Sequence, residues 1–145
     1  MIKLEKLTLS DGGVHIILSA SVDDKPIRMV LDTGASHSVL DFNWAEQNLP
    51  DNEIIAIEEP AYGIGSSVEV HKAEVSSFKI GNLNLENRLF ALIDFDAINT
   101  VYDREGLEEV QGILGGDVLD EFCGIIDYGK YSLKFSPQIT QINTD

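Results

Sequence analysis

The chain has 145 residues, 43% hydrophobic and 24% charged, values that are ordinary for one globular domain with a buried core, and we expect a single domain over residues 1–145. The 25 acidic residues against 10 basic ones give a formal net charge of −15. A field of that sign repels nucleic acid and anionic membrane surfaces, so neither is expected as a partner. No apolar run is long enough to span a bilayer, and residues 1–13 lack a signal-peptide core. Because Cys123 is the only cysteine, no intramolecular disulfide can form, and a cytoplasmic location is expected.

Alternating hydrophobic residues predict a chain made mainly of β-strands. The first hairpin is expected over residues 15–32, with a turn at residues 23–26 that is rich in turn-forming side chains. A second hairpin is predicted over residues 62–80. The remaining predicted strands are residues 83–93, after a Gly81-Asn82 turn, and two strands within residues 124–135 around a Tyr-Gly-Lys turn.

Short helical segments are predicted between these strands. One or two helical turns can begin near Asp41. Asp96 is a candidate N-cap for residues 97–105, and Gly106 stands where helices end. Asp117 is a candidate cap for a further short helix, and this role is favoured over that of a second catalytic acid. Cys123, between Phe122 and Gly124, is predicted to be a buried small hydrophobe.

The sequence VLDTGAS, residues 30–36, carries an acid directly after an apolar strand. Burial raises the pKa of a lone carboxylate, so Asp32 is expected to need partners that hold its charge. Thr33 offers a hydroxyl that donates and accepts locally, and Gly34 permits unusual dihedrals and close approach. Taken alone, the tripeptide favours a strand that ends in an Asx-type turn, in which Asp32 only accepts backbone hydrogen bonds.

Three motifs in order resemble the retropepsin-like aspartic proteases. VLDTGAS, followed by Val39-Leu40, resembles their active-site strand and loop, and AYGIGSS, residues 61–67, resembles their flap hairpin. GILGGDVL, residues 112–119, resembles the element that precedes their last helix, and the following IIDYGKYSLKF resembles the strands after it. On these motifs the chain is identified as a single-domain, bacterial-type member. The resemblance implies an all-β, closed β-barrel-like acid protease domain with two short helices.

The resemblance also implies roles for individual residues. The implied catalytic residues are Asp32, Thr33 and Gly34. The implied substrate-binding residues are Ala35 and the flap residues Tyr62, Gly63, Ile64 and Gly65. The implied structural support beneath the loop comes from Ile113, Leu114 and Gly115. The implied reaction is the cleavage of extended peptide segments, and neither a metal ion nor an organic cofactor is implied.

The chain contains one D-T-G motif, whereas the implied chemistry needs two carboxylates that share a proton and a water. The second must come from another copy of the chain, so a homodimer with Asp32 beside its twin is expected.

Two departures from retroviral members stand out. Ser36 and Gly116 replace an acid and an arginine that often pair in those enzymes, and residues 93–112 form a longer segment, which could reshape the cleft.

Other functions are weighed against this one. The principal alternative is a non-catalytic peptide-binding or dimerisation module that keeps the cleft. A calcium loop over residues 94–105 is disfavoured because Ile98 occupies a ligand position and Asn99 replaces the required glycine. His15, His37 and His71 have no metal-ligand spacing.

Overall fold

The computed structural model describes residues 1–60 and 67–136. The strands are β1 Ile2–Lys3, β2 Glu5–Thr8, β3 Val14–Val22, β4 Lys25–Leu31, β5 Val39–Asp41, β6 Ile54–Pro60, β7 Ser67–Ile80, β8 Leu83–Ile93, β9 Gly112–Leu114, β10 Ile125–Asp127 and β11 Ser132–Lys134. The helices are α1 Phe42–Asn48, α2 Asp96–Arg104 and α3 Gly116–Glu121, with one 3₁₀ turn at Asp51–Glu53.

Six strands close into a barrel in the order β3-β4-β9-β5-β8-β7. Pairing of Ser21 with Lys79 and of Val22 with Phe78 joins the last of these strands to the first. β2 extends the sheet beyond β3, β6 extends it beyond β7, and a separate small sheet has the order β1-β11-β10. The predicted all-β, barrel-like fold class is confirmed. The described residues contain three short helices rather than two, because the segment after Asp41 forms a full helix of its own.

The first predicted hairpin is present as β3 and β4, but its turn is shorter than predicted. Asp23 and Asp24 alone form the turn, with φ angles of 50° and 65°, which suit the right-handed twist of a hairpin. Lys25 and Pro26 already belong to β4. The sequence prediction missed β6, which pairs along its length with β7. The tip of that hairpin, residues 61–66, lies outside the described residues.

Two clusters of buried side chains form the core. The larger fills the barrel and includes Phe78 and Phe90, whose ring centroids are 4.9 Å apart. The smaller lies under α2, and its buried members are Leu7, Ile17, Phe95, Tyr102 and Val110. The long segment between β8 and β9 therefore packs against the barrel with a core of its own. No helix in the two described ranges is long and apolar enough to cross a membrane.

The predicted helix caps are partly wrong. Phe95 occupies the N-cap position of α2, and Asp96 is its first residue. Gly106, with φ of 73°, follows the helix end as predicted. α3 begins after Gly115 without a side-chain cap, so Asp117 does not cap it. Cys123 is exposed rather than buried.

The short strand β9 fixes the position of the loop after β4. It runs parallel to β4, with Val30 opposite Ile113, and antiparallel to β5. A Cβ atom on Gly112 would lie 2.9 Å from Met29 Cε and 3.1 Å from the Val39 carbonyl oxygen. A side chain at this position would therefore force the Met29 side chain to move and would crowd the Val39 carbonyl where β9 passes between these two strands.

Candidate functional site

Asp32 begins the loop that joins β4 to β5. Its backbone N–H donates to the Leu114 carbonyl over 3.0 Å, which ties the loop to the end of β9. Its Oδ1 accepts a hydrogen bond of 2.9 Å from the Gly34 N–H. This is the Asx-type turn that the tripeptide alone allowed. The burial expected for the acid is not observed, because Asp32 and Thr33 are exposed.

A buried hydroxyl links the far end of the loop to the start of α3. Ser38 is 3% exposed. Its Oγ accepts from the Gly115 N–H over 2.8 Å and donates to Asp117 Oδ1 over 2.7 Å. The Ser38 backbone N–H donates to the same carboxylate oxygen over 2.9 Å. These three bonds hold the far end of the Asp32 loop against residues 115–117, while the bond from the Asp32 N–H to Leu114 holds its beginning.

The middle of the loop is held by direct backbone contact with the two glycines. The Gly116 N–H donates to the Ala35 carbonyl over 2.7 Å. Gly115 lies against the backbone of Ala35 and His37 so closely that no side chain fits there. Gly115, for which the resemblance implies a supporting role beneath the loop, contacts the loop backbone at these two residues.

Arg88 on β8 extends this arrangement to the barrel wall. Its guanidinium lies 3.8 Å from an Asp117 oxygen and 2.8 Å from a Glu121 oxygen, and it stands over the Phe122 ring. Burial raises the pKa of Asp117, but hydrogen bonds from Ser38 and the Val118 N–H, together with the Arg88 charge, outweigh burial and leave the pKa below its ordinary value of 3.8. The folded protein therefore favours the charged carboxylate.

This lowered pKa predicts how the stability of the loop depends on pH. The stabilisation from Asp117 is fully present above its unfolded pKa of 3.8 and is lost as the pH falls through the lower folded value. We expect Asp117→Asn to reduce the free energy of unfolding by about 1 kcal/mol at pH 7. The difference from wild type should shrink below about pH 4. Urea unfolding of both proteins between pH 2.5 and 7 measures this difference in the free energy of unfolding.

Asp120→Asn is the matched control, because Asp120 is an exposed acid on the same helix. It should leave the stability curve unchanged. A stability difference between Asp117→Asn and wild type that stays constant from pH 7 to pH 2.5 would show that the Asp117 charge does not hold the loop.

A cavity of about 590 Å³ opens beside Asp32. Its lining residues are Val14, His15, Ile16, Val30, Leu31, Asp32, Thr33, Ile98, Tyr102, Ile113, Ile126 and Tyr128. Most of these side chains are apolar, and they come from β3, β4, α2, β9 and the region of β10. The cavity thus combines a carboxylate at its mouth with walls suited to a large apolar group.

The structure separates the sequence-predicted site residues into two groups. Asp32, Thr33 and Ile113 line the cavity. Gly34, Ala35, Leu114 and Gly115 do not line it and instead hold the loop through the backbone contacts described above. Tyr62, Gly63, Ile64 and Gly65, predicted to bind substrate, lie outside the described residues.

The prediction missed three contributors to the site: Ser38, Arg88 and the pair formed by His15 and Tyr102. Ser38 gave a weak signal as a hydroxyl residue in the loop, but its partner Asp117 is 79 residues away.

Two acids of the disfavoured calcium loop accept hydrogen bonds from the protein itself. Asp94 accepts from the Asp96 N–H over 2.8 Å, and Glu105 accepts from the Ser10 N–H and hydroxyl over 2.8 and 2.7 Å. Within residues 1–60 and 67–136, no group of three or more histidine, cysteine or acidic side chains is arranged to hold a metal ion.

Comparison with known proteins identifies the family and the fold of the chain. A family model described as aspartyl protease matches residues 18–118, more than half of the chain. A retropepsin-like aspartic protease from Rickettsia conorii is 18% identical, with 88% of each chain covered and a TM-score of 0.51. The retroviral protease-like domain of Ddi1 from Leishmania major is 15% identical, with 90% of each chain covered and a TM-score of 0.61. At these identities the two structures establish the fold alone. Comparison with curated proteins finds no match.

Proposed function

Because the chain belongs to the retropepsin-like aspartyl protease family, we propose that it is an aspartic endopeptidase that acts as a homodimer on extended peptide segments. The observation that carries the proposal is the position of Asp32. A single exposed carboxylate stands at the mouth of a cavity of about 590 Å³, in a loop held at both ends and in the middle. Such a fixed acid is what a water-activating site requires.

The proposed mechanism needs two copies of Asp32. Two carboxylates close together cannot both ionise, so the pair shares one proton, and aspartic proteases are the standard example of this effect. The charged member removes a proton from the attacking water while the protonated member donates to the carbonyl oxygen of the scissile bond. Thr33, next to each acid, is proposed to bond across the dimer and hold the two loops in register.

The surface around the cavity supports a second copy as the partner. β10 pairs with β11 along one edge, and no other strand of the described chain pairs with it. Near this free edge, Ile125 is 62% exposed and Tyr128 is 57% exposed. Tyr128 and Ile126 also line the cavity beside Asp32. Edge-to-edge contact of two copies through β10 would cover these apolar groups next to the acid.

The test of the proposed enzyme combines activity with mass in solution. Wild type is incubated with a diverse peptide library at pH 4 to 7, and its mass is measured over a range of protein concentrations. We expect cleavage by a dimer, and activity per chain that falls when dilution dissociates it. Binding of library peptides without cleavage would instead support the peptide-binding module.

Ile125→Lys is expected to weaken the dimer. A lysine at a free strand edge discourages pairing, and its charge would be buried between the two copies. We expect the dissociation constant of the dimer to rise at least about tenfold, measured by sedimentation. Because each chain carries a net charge of −15, added salt should strengthen the wild-type dimer by screening repulsion.

Leu89→Lys provides the control. Leu89 is 50% exposed on β8, so this variant also replaces an exposed apolar residue by lysine, but away from β10. It should leave the dissociation constant unchanged. A dimer that tolerates Ile125→Lys and dissociates with Leu89→Lys would place the interface elsewhere.

A further inference from the structure

Helix α2 forms one side of the cavity beside Asp32, and one of its buried side chains has a hydroxyl group in the cavity wall. Tyr102, on this helix, is 1% exposed and lines the cavity together with His15 of β3. The Tyr102 hydroxyl oxygen lies 2.6 Å from His15 Nδ1, and the centroids of the two rings are 5.6 Å apart. The pair therefore places one polar contact in walls that are mostly apolar.

The environment of Tyr102 determines which of the two groups donates. Burial raises the pKa of Tyr102 above its ordinary value, against a smaller opposing effect of the Arg28 charge, so the hydroxyl stays protonated. Within the described chain, His15 Nδ1 is the hydrogen-bond partner of this hydroxyl. A buried O–H without an acceptor is costly, so the hydroxyl donates and Nδ1 accepts.

In a neutral imidazole, this direction places the proton on the other nitrogen. With Nδ1 as acceptor, Nε2 carries the hydrogen and is a donor. Nε2 has no hydrogen-bond partner among residues 1–60 and 67–136. His15 is only half-buried and lines the cavity, so this donor remains available to a bound group.

We propose that His15, oriented by Tyr102, determines substrate specificity by donating a hydrogen bond to an acceptor at the end of the substrate side chain that enters this cavity. The proposal rests on the proposed endopeptidase function and names its substrate class. The favoured residue next to the scissile bond is long and uncharged, with an apolar stem and a terminal carbonyl, as in glutamine. A glutamate is less suitable, because its charge would lie close to Asp32 in a chain that is already strongly acidic.

Two peptides that differ only in glutamine or methionine before the scissile bond test the proposal. The two side chains are similar in length and shape, but only glutamine carries a strong hydrogen-bond acceptor, since the methionine sulfur accepts weakly. We expect wild type to prefer the glutamine peptide by about fivefold in kcat/KM, the effect of one hydrogen bond. His15→Leu removes the donor, and Tyr102→Phe removes the group that orients it. His15→Leu should bring the ratio close to one, and Tyr102→Phe should lower it, because only part of the imidazoles then carry the hydrogen on Nε2.

Tyr131→Phe is the matched control, because it removes a tyrosine hydroxyl from a residue that does not line this cavity. It should keep the glutamine preference. A merely structural role of Tyr102 would lower kcat/KM for both peptides alike and leave the ratio unchanged, which would overturn its assignment as a positioning residue.

A second readout does not depend on catalysis. Nitrogen NMR of the imidazole reports which ring nitrogen carries the hydrogen, and we expect Nε2–H for His15 in wild type and a mixture in Tyr102→Phe. If wild type cleaves nothing, the proposed endopeptidase fails, and calorimetry with uncleavable forms of the same peptides still tests the preference. An Nδ1–H tautomer in wild type, or equal affinity for both peptides, would overturn the specificity proposal.

Discussion

Asp32→Asn is expected to reduce peptide cleavage by on the order of 10³-fold or more, while the protein still folds and dimerises. The amide has nearly the shape of the carboxylate, and its oxygen can still accept from the Gly34 N–H, as Asp32 Oδ1 does. It cannot remove a proton from water, and it cannot share a proton with a twin. Steady-state cleavage and sedimentation of the variant measure the two parts of this prediction.

Mixing the variant with wild type distinguishes a shared active site from two independent ones. If one acid from each chain is required, mixed dimers are inactive, and an equilibrated equal mixture retains about one quarter of the wild-type activity. If each chain acts alone, about one half remains. Asp120→Asn removes an exposed acid without a catalytic role, so mixing it with wild type should leave the cleavage activity of the mixture unchanged. A linear decline of activity with the fraction of Asp32→Asn would refute the shared dyad.

The sequence predicted those strands in which burial alternates along the chain. β3 and β4 place their apolar residues in the barrel at a period of two, and this pattern can be read locally. β6 gave no such signal, because Ile55 and Ile57 are both exposed and the strand is held by its pairing with β7. A strand that is held by pairing with a neighbouring strand, rather than by burial of one face, shows no hydrophobic alternation that could be detected in the sequence.

The sequence predicted only those parts of the candidate site that lie within short motifs. The motifs singled out the D-T-G loop and the G-I-L-G-G element, two segments that contact each other in the structure, but they did not predict the bonds between them. Asp117 looked like a helix cap because an acid near a helix start usually is one. In the folded chain it is held by Ser38 and Arg88, which lie 79 and 29 positions earlier in the sequence. Long-range pairing brings these groups together, and no local pattern encodes it.

Gly115→Ala is expected to displace the Asp32 loop. A Cβ atom at Gly115 would lie 2.7 Å from the Ala35 carbonyl oxygen and 2.9 Å from the His37 carbonyl carbon, both of which are backbone atoms that cannot rotate away. The backbone of Gly115 has φ of −106°, which alanine adopts freely, so the effect is steric. We expect a loss of about 2 kcal/mol in the free energy of unfolding from overpacking. Cleavage should fall about 10²-fold through misplacement of Asp32.

Gly116→Ala is the control for Gly115→Ala. It tests whether the effect comes from the close contact at Gly115 or whether any side chain at this turn is unfavourable. A Cβ atom there would lie 3.5 Å from the Ala35 carbonyl oxygen and 3.9 Å from the Thr33 carbonyl oxygen, which are ordinary contacts. Because Gly116 is the first residue of α3, alanine should change stability by no more than about 0.5 kcal/mol. Equal losses of stability and activity in both variants would contradict the close contact at Gly115. A loss confined to Gly115→Ala would show that the backbone of residues 35–37 rests directly on this glycine, and that the position of Asp32 depends on it.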